Sequence, residues 1–331
     1  MPLVTLCLSE RCNSRCVSCD YWRNGQGEMD LAAVARLLPG LAALETRVAL
    51  ISGGEPLLNR EWPPIAALLR ANGLKLWLLT SGLSLAKHAA RAAQLFDAIT
   101  VSLDGTNRET YAALRGVDAF EKVCEGVRAV VDAGAPVGLR VTVQRGNYRQ
   151  LPAFVELATA LGVRQLSFVA VDVANPHAFG RAEGFSAPLA LEPDDLPILG
   201  QIIERLECER AADFRSGLIA DSPRKLWRMH RYFAAVCGLG PYPPVHCNVF
   251  DYSVVIDATG RVSPCFFIPG PPQTAGRADL AELLNGEAMS ELRTHIRAGE
   301  RPECARCVCS LWREPEERGV ADFLMRRHAS G

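Results

Sequence analysis

Over residues 1–170 the chain alternates short apolar runs with helical patterns, unit after unit. The strand candidates are Leu3–Leu8, Val48–Ser52, Lys75–Thr80, Ala98–Leu103, Val137–Val143 and Gln165–Val169. Helical periodicity fills 31–43, 62–72, 84–95, 107–133 and 149–161 between them. A helix between successive strands implies a parallel sheet with right-handed crossovers. Six such units are fewer than the eight that close a full barrel. An open doubly wound sheet and an incomplete barrel both satisfy this periodicity. Apolar residues at 49% and charged residues at 22% are enough for a full core.

After Val169 the rhythm breaks. Residues 170–191 read as a Pro- and Gly-containing loop at the carboxyl edge of the sheet, and 193–212 and 222–236 read as helices. "GLGPYPPVHC" reads as a linker or rigid turn. Tyr252–Ile256 and Arg261–Pro264 flank "DATG", a hairpin signal, and helical patterns return at 279–298 and 311–327. These shifts divide the chain into 1–213, a helical segment and linker at 214–245, and a small C-terminal segment at 246–331. That last segment is too short and irregular for a large core, so bound metal would help hold it.

Lys and Arg number 36 against 37 Asp and Glu, a net charge of −1. No global field draws nucleic acid or an anionic membrane to such a chain. No uncharged run approaches the ~20 residues that span a bilayer, and no secretory signal opens the chain. The expected location is the cytoplasm, where thiols stay reduced and clustered cysteines read as metal ligands.

There are twelve cysteines. Cys12, Cys16 and Cys19 form a Cys-x3-Cys-x2-Cys run directly after the first strand. Three thiols are one fewer than a closed zinc site or an ordinary four-thiolate cluster uses. A zinc knuckle needs a fourth ligand nearby, yet no His precedes His88. A redox dithiol needs only two thiols. A [4Fe–4S] cluster with one open iron, free to chelate an amine and a carboxylate of a small molecule, fits best.

This spacing after the first strand of a β/α series resembles the radical S-adenosylmethionine (SAM) superfamily. "SGGEP", Ser52–Pro56, follows the second strand and is similar to the family's GGEP motif, and "SLDG", Ser102–Gly105, ends the fourth. The resemblance implies a partial (β/α)6 TIM-like barrel. It implies a cluster on Cys12, Cys16 and Cys19 that cleaves SAM reductively to a 5′-deoxyadenosyl radical. It further implies SAM contacts at Gly53, Gly54, Glu55, Pro56, Ser102, Asp104 and Arg115, with Thr142, Gln144 and Val169 as further contacts. Position 18 is Ser where relatives often carry an aromatic or His, so Tyr21 or Trp22 is expected to supply stacking. A flavodoxin or ferredoxin-type reductant is the implied partner.

Cys247 and Cys265 bracket the hairpin, with Gly260 in its turn, and Cys304-x2-Cys307 follows. Four thiolates complete one [4Fe–4S] cluster, with structural zinc as the rival reading. The pattern resembles the one-cluster twitch form of the SPASM domain. Cys309 follows after one residue and is a spare thiol or an alternative ligand. Cys237 is a candidate hydrogen donor to a substrate radical. Asp172, Asn175 and His177 lie past the sixth strand, where barrel enzymes place substrate contacts. Isolated Cys7 and Cys124 read as small buried hydrophobes.

The motif set looks like that of enzymes acting on a small polar metabolite: a carbohydrate, aminocyclitol or sugar nucleoside. The implied outcome is dehydrogenation, epimerisation or decarboxylation in a natural-product pathway. The alternative is a maturase of a ribosomally made peptide, disfavoured because only eleven residues precede Cys12 and no peptide-recognition domain stands there. An iron–sulfur electron carrier is the remote alternative, and it predicts no use for Glu55, Ser102 or Asp104.

Overall fold

The computed structural model describes residues 1–173, 175–176, 178–181, 188–275, 279–309 and 311. The six expected strands form within one residue of their expected limits: β1 Leu3–Ser9, β2 Val48–Gly53, β3 Lys75–Thr80, β4 Ala98–Ser102, β5 Val137–Val143 and β6 Gln165–Ala170. Each pairs in parallel with its neighbour in sequence. The fold is an α/β partial barrel. Alternation explains its two faces. Val4, Leu6 and Leu8, like Val137, Leu139, Val141 and Val143, are buried under the helices. The intervening residues, among them Ser52, Ser102, Thr142 and Ser167, face the concave side. Each fully buried aliphatic side chain contributes about 1.5–3 kcal/mol, so a slip of one residue in any strand would lose several such terms.

The helices start and stop where local chemistry dictates. Asp30 caps Leu31–Ala43 by accepting from the Ala33 amide at 2.6 Å. The expected single helix at 107–133 is two helices, Arg108–Arg115 and Phe120–Asp132. Asn107 caps the first, and Gly116, at φ 67°, ends it in the left-handed conformation that glycine adopts without penalty. This break turns the end of the first helix toward the segment that follows β1.

The C-terminal hairpin also forms, as β7 Ser253–Ile256 and β8 Val262–Ser263, with Gly260 at φ 85° in its turn. β7 joins the main sheet, lying parallel to β1 with Leu3 opposite Ser253 and Leu6 opposite Ile256. The strand order is therefore β6-β5-β4-β3-β2-β1-β7-β8. The far edge continues too: Ile219 bridges Leu166 of β6. Of the helical pattern at 311–327, all but Leu311 lies outside the described residues. Among the described residues, no helix is long and apolar enough to cross a membrane.

Candidate active site

The segment after β1 is fixed on every side. A bulge shifts the β1–β2 register between Cys7 and Ser9, re-aiming the chain as it leaves the sheet. The Gly54 amide donates to the Ser9 carbonyl at 2.6 Å and the Glu55 amide to that of Arg11 at 2.8 Å. A Cβ at Gly53 would lie 2.2 Å from the Ser9 oxygen, and one at Gly54 2.4 Å from that of Glu10. The two motif glycines thus let β2's end lie flat against the cysteine loop. Opposite, Arg15 donates to the Arg115 carbonyl at 2.8 Å and Val17 to that of Leu114 at 3.1 Å. Asn13 reaches Ser81 and Ser84. The Phe179 carbonyl takes the Asp20 amide at 2.9 Å and the Cys19 thiol at 3.3 Å.

This scaffold brings Cys12, Cys16 and Cys19 into one another's electrostatic field. Burial pushes the Cys12 thiol up to about 11 and Cys19 to about 12, and it raises Cys16 as well. Arg115 pulls all three the other way. Enclosed thiols of this kind ionise when a cation or metal centre compensates them.

Arg115 is buried and pairs with Asp104 at 3.0 Å. Burial works against its charge, but Cys16 and Asp104 more than offset this and hold it above the usual guanidinium range. Among the described residues its buried Nε has no partner, so one donor remains beside the cysteine loop. The other oxygen of Asp104 takes the Thr142 amide at 2.7 Å. Thr142 and Val169 are half-buried at the ends of their strands, as is Ser102 on β4. Gln144 is buried, its carbonyl accepting from the Asn147 and Tyr148 amides.

Glu55 is fully buried. Its carboxylate accepts from the Thr80 hydroxyl at 2.8 Å, the Ser81 amide at 2.7 Å and the Leu57 amide at 3.1 Å, capping the short helix Pro56–Leu58. Glu55 thus ties β2 to β3 beneath the cysteine loop. Tyr21 packs against Gly180, where a Cβ would meet its ring at 2.8 Å, and burial raises its phenol.

Of the rim residues, Asp172 pairs with Arg181 at 2.8 Å. Arg181 also donates to the carbonyls of Asp172, Asn175 and Ser18. Asn175 donates to the Phe267 carbonyl at 2.8 Å. These residues tie the loop after β6 to the cysteine loop and the C-terminal segment. Sequence reasoning missed Arg181, whose isolated place in a loop carries no signal. His177 lies outside the described residues. Cys237 caps Pro223–Val236, donates to the Leu191 carbonyl at 3.1 Å, and has Asp195 and Glu192 as charge neighbours rather than the first trio.

The C-terminal cysteines also converge. Cys265 lies in the field of Cys247 and Cys304, and Cys307 in that of Cys309, Cys247 and Cys265. Burial pushes Cys265 up to about 12, and the Phe267 and Ile268 amides aimed at its sulfur oppose this. Cys307 bonds back to Cys304 through its amide at 3.1 Å, closing the Cys-x2-Cys turn. Phe250, Ile268 and Ile296 form a small apolar cluster against Cys265 and Cys304. Both donor sets are soft thiolates suited to iron–sulfur centres. Among the described residues, no three His, Cys, Asp or Glu side chains close on one point to hold a single ion. A four-iron cluster carries each thiolate on a separate iron.

Comparison with known proteins agrees with this geometry. Residues 6–158 match the family model described as the radical SAM superfamily, and 247–308 that of an iron–sulfur cluster-binding domain. A probable GTP 3',8-cyclase of Saccharolobus islandicus is 29% identical over 302 residues, covering 87% of this chain and 89% of that protein. The Fe-coproporphyrin III synthase of Methanosarcina barkeri is 30% identical over 173 residues, 50% of this chain and 43% of that protein. The structure of anSMEcpe with bound AdoMet and a peptide superposes with a TM-score of 0.67 at 16% identity, covering 99% of this chain and 98% of the other. Streptococcus suis SuiB bound to S-adenosylmethionine gives 0.66 at 14%, covering 94% and 73%. At these identities the likeness establishes the fold.

Proposed function

We propose a reaction for what is a radical SAM enzyme with a C-terminal iron–sulfur domain: hydrogen-atom abstraction from a small polar metabolite. Its cofactors are SAM and two [4Fe–4S] clusters. Cys12, Cys16 and Cys19 hold the first cluster; Cys247, Cys265, Cys304 and Cys307 hold the second. When bound, the first cluster and SAM supply a 5′-deoxyadenosyl radical from one electron of a flavodoxin or ferredoxin-type donor.

The observation that carries this reading is the gathering of three thiols on one loop, clamped between the Gly53–Gly54 strand end and the Arg115 helix end. The chain's own residues do the positioning. Arg115, oriented by Asp104, balances charge beside Cys16 and offers its free Nε toward a carboxylate. Gly53 and Gly54 hold the loop at backbone distance. Glu55 locks the floor through Thr80 and Ser81. Thr142 and Val169 line the mouth where the cofactor and substrate meet. Polar side chains on the concave faces of β2, β4, β5 and β6 suit a polar substrate inside the barrel.

The relatives that cover most of this chain are named for a nucleotide reaction, which supports a metabolite rather than a peptide. Dehydrogenation, epimerisation and decarboxylation are the proposed outcomes for the substrate radical. The test is anaerobic reconstitution with iron and sulfide, reduction, and quantitation of 5′-deoxyadenosine from SAM. Wild type should form it, and Cys16→Ala should form none. Undiminished cleavage in that variant would remove the cysteine trio from the reaction.

A further inference from the structure

β5 reads Val-Gly-Leu-Arg-Val-Thr-Val over Val137–Val143. Val137, Leu139, Val141 and Val143 are buried under the helices, so Arg140 points the other way, into the barrel. Arg140 is the one exposed residue of this strand, on its concave side, and the protein around it lowers its guanidinium from the usual range. A guanidinium there gives up part of its hydration, which a bound anion would offset. The buried arginines near the site have one: Arg115 has Asp104 and Arg181 has Asp172. Among the described residues, the Arg140 side chain has no hydrogen bond or ion pair; its carbonyl accepts from the Leu103 amide at 3.0 Å.

Its charge neighbours do not meet the need. Asp221 already accepts from the Phe168 amide at 2.6 Å and pairs with Lys225. The other neighbour, Cys309, is flanked by Lys225 and Arg228 as well as Arg140. Among the described residues, the buried Nη2 of Arg228 has no partner, while its Nη1 donates to the Pro244 carbonyl. With Lys225 paired to Asp221, Arg140 and Arg228 are, among these residues, the two unneutralised cations in the field of Cys309.

The place of Arg140 is equally informative. It lies two residues, about 6.6 Å, deeper in β5 than Thr142. Thr142 bonds to Asp104, the partner of Arg115 beside Cys16. Arg140 is thus inward of the first cysteine trio and on the side of the C-terminal cysteines.

We infer that the substrate carries an oxyanion, a carboxylate or a phosphate, and that Arg140 receives it inside the barrel as a positioning and specificity-determining residue. This rests on the reaction proposed above and narrows its substrate class. Two parallel N–H donors grip such a group in a fixed plane. One end of the substrate is then anchored, and its reacting C–H bond is turned toward the trio. Arg228 adds to the field that attracts the anion.

The test uses reconstituted holoprotein, wild type, Arg140→Gln and Arg140→Lys, compared at equal iron content. Inorganic pyrophosphate and succinate are titrated into each by calorimetry. Arginine labelling by phenylglyoxal is followed by mass spectrometry with and without each probe. At least one probe should bind wild type and protect Arg140 from labelling. Arg140→Gln should bind it about tenfold to a hundredfold more weakly, as loss of a charge-assisted pair implies, with Arg140→Lys between. Preference for pyrophosphate points to a phosphate-bearing substrate, and preference for succinate to a carboxylate. No binding of either probe, equal affinity in Arg140→Gln, or no protection of Arg140 overturns the inference. So does an effect confined to the electron paramagnetic resonance (EPR) of the C-terminal cluster, which would make Arg140 that cluster's counter-ion. SAM cleavage by wild type is scored separately, so its absence counts against the radical reaction and not against the anion site.

Discussion

Replacing Arg115 by Met removes the cation from a pair whose side chains are only 10% and 5% exposed. Asp104 is then a buried carboxylate without its counter-charge. Breaking such a pair from one side costs about 3–5 kcal/mol. Asp104 keeps the Thr142 amide on its other oxygen, which places the loss near the lower end, about 3 kcal/mol. The backbone anchor from Arg15 to the residue 115 carbonyl is unaffected by the side chain, so the defect is electrostatic. Adding Asp104→Asn neutralises the stranded charge and should return about 2 kcal/mol of the loss. Urea unfolding of anaerobic protein, followed by circular dichroism, measures all corners of this cycle. The reasoning fails if Arg115→Met loses less than about 1 kcal/mol, or if the double variant is no more stable than the single one.

Other consequences follow from the same geometry. Gly54→Ala forces a methyl to within 2.4 Å of the Glu10 carbonyl and should displace the cysteine loop; iron should fall from about eight to about four per chain, as counted by colorimetric assay. Cys247→Ala with Cys304→Ala should give the complementary result, about four irons with SAM cleavage retained. Arg181→Met removes the counter-charge of Asp172, which keeps the Asn175 amide, and unties the β6 loop from Ser18; a stability loss of about 3 kcal/mol is expected, with faster proteolysis of the loop. His295 is raised by its hydrogen bond to Glu300, with help from Glu291. The pair therefore stabilises fully below the unfolded histidine value and is lost as pH rises through the higher folded value. In Glu300→Gln, NMR titration should place His295 lower.

Much of the fold was legible because strand and helix periodicity is local. The six strand limits fell within a residue, and the fold gathers the cysteines into the two groups their spacing marks. The join of β7 to β1 was not legible, because pairing between residues some 250 positions apart leaves no trace in either segment. Gly116 was a readable helix stop that periodicity across 107–133 obscured. The motif residues were found by type, but not what holds them. Glu55 and Asp104 bond chiefly to the chain itself, and Gly53 and Gly54 make room for Ser9 and Glu10. Arg140 carried a signal that went unused: a cation at an inward position of an otherwise apolar and small-residue strand.

The central claim is that Cys12, Cys16 and Cys19 hold the cluster that engages SAM, while the C-terminal cysteines hold one that does not. EPR of reduced protein, with and without SAM, tests it directly in two variants. With Cys247 and Cys304 both replaced by Ala, the remaining cluster's signal should still change on adding SAM. With Cys12, Cys16 and Cys19 replaced by Ala, the remaining signal should be indifferent to SAM. A SAM-responsive signal in the second variant, or an unresponsive one in the first, would contradict the assignment.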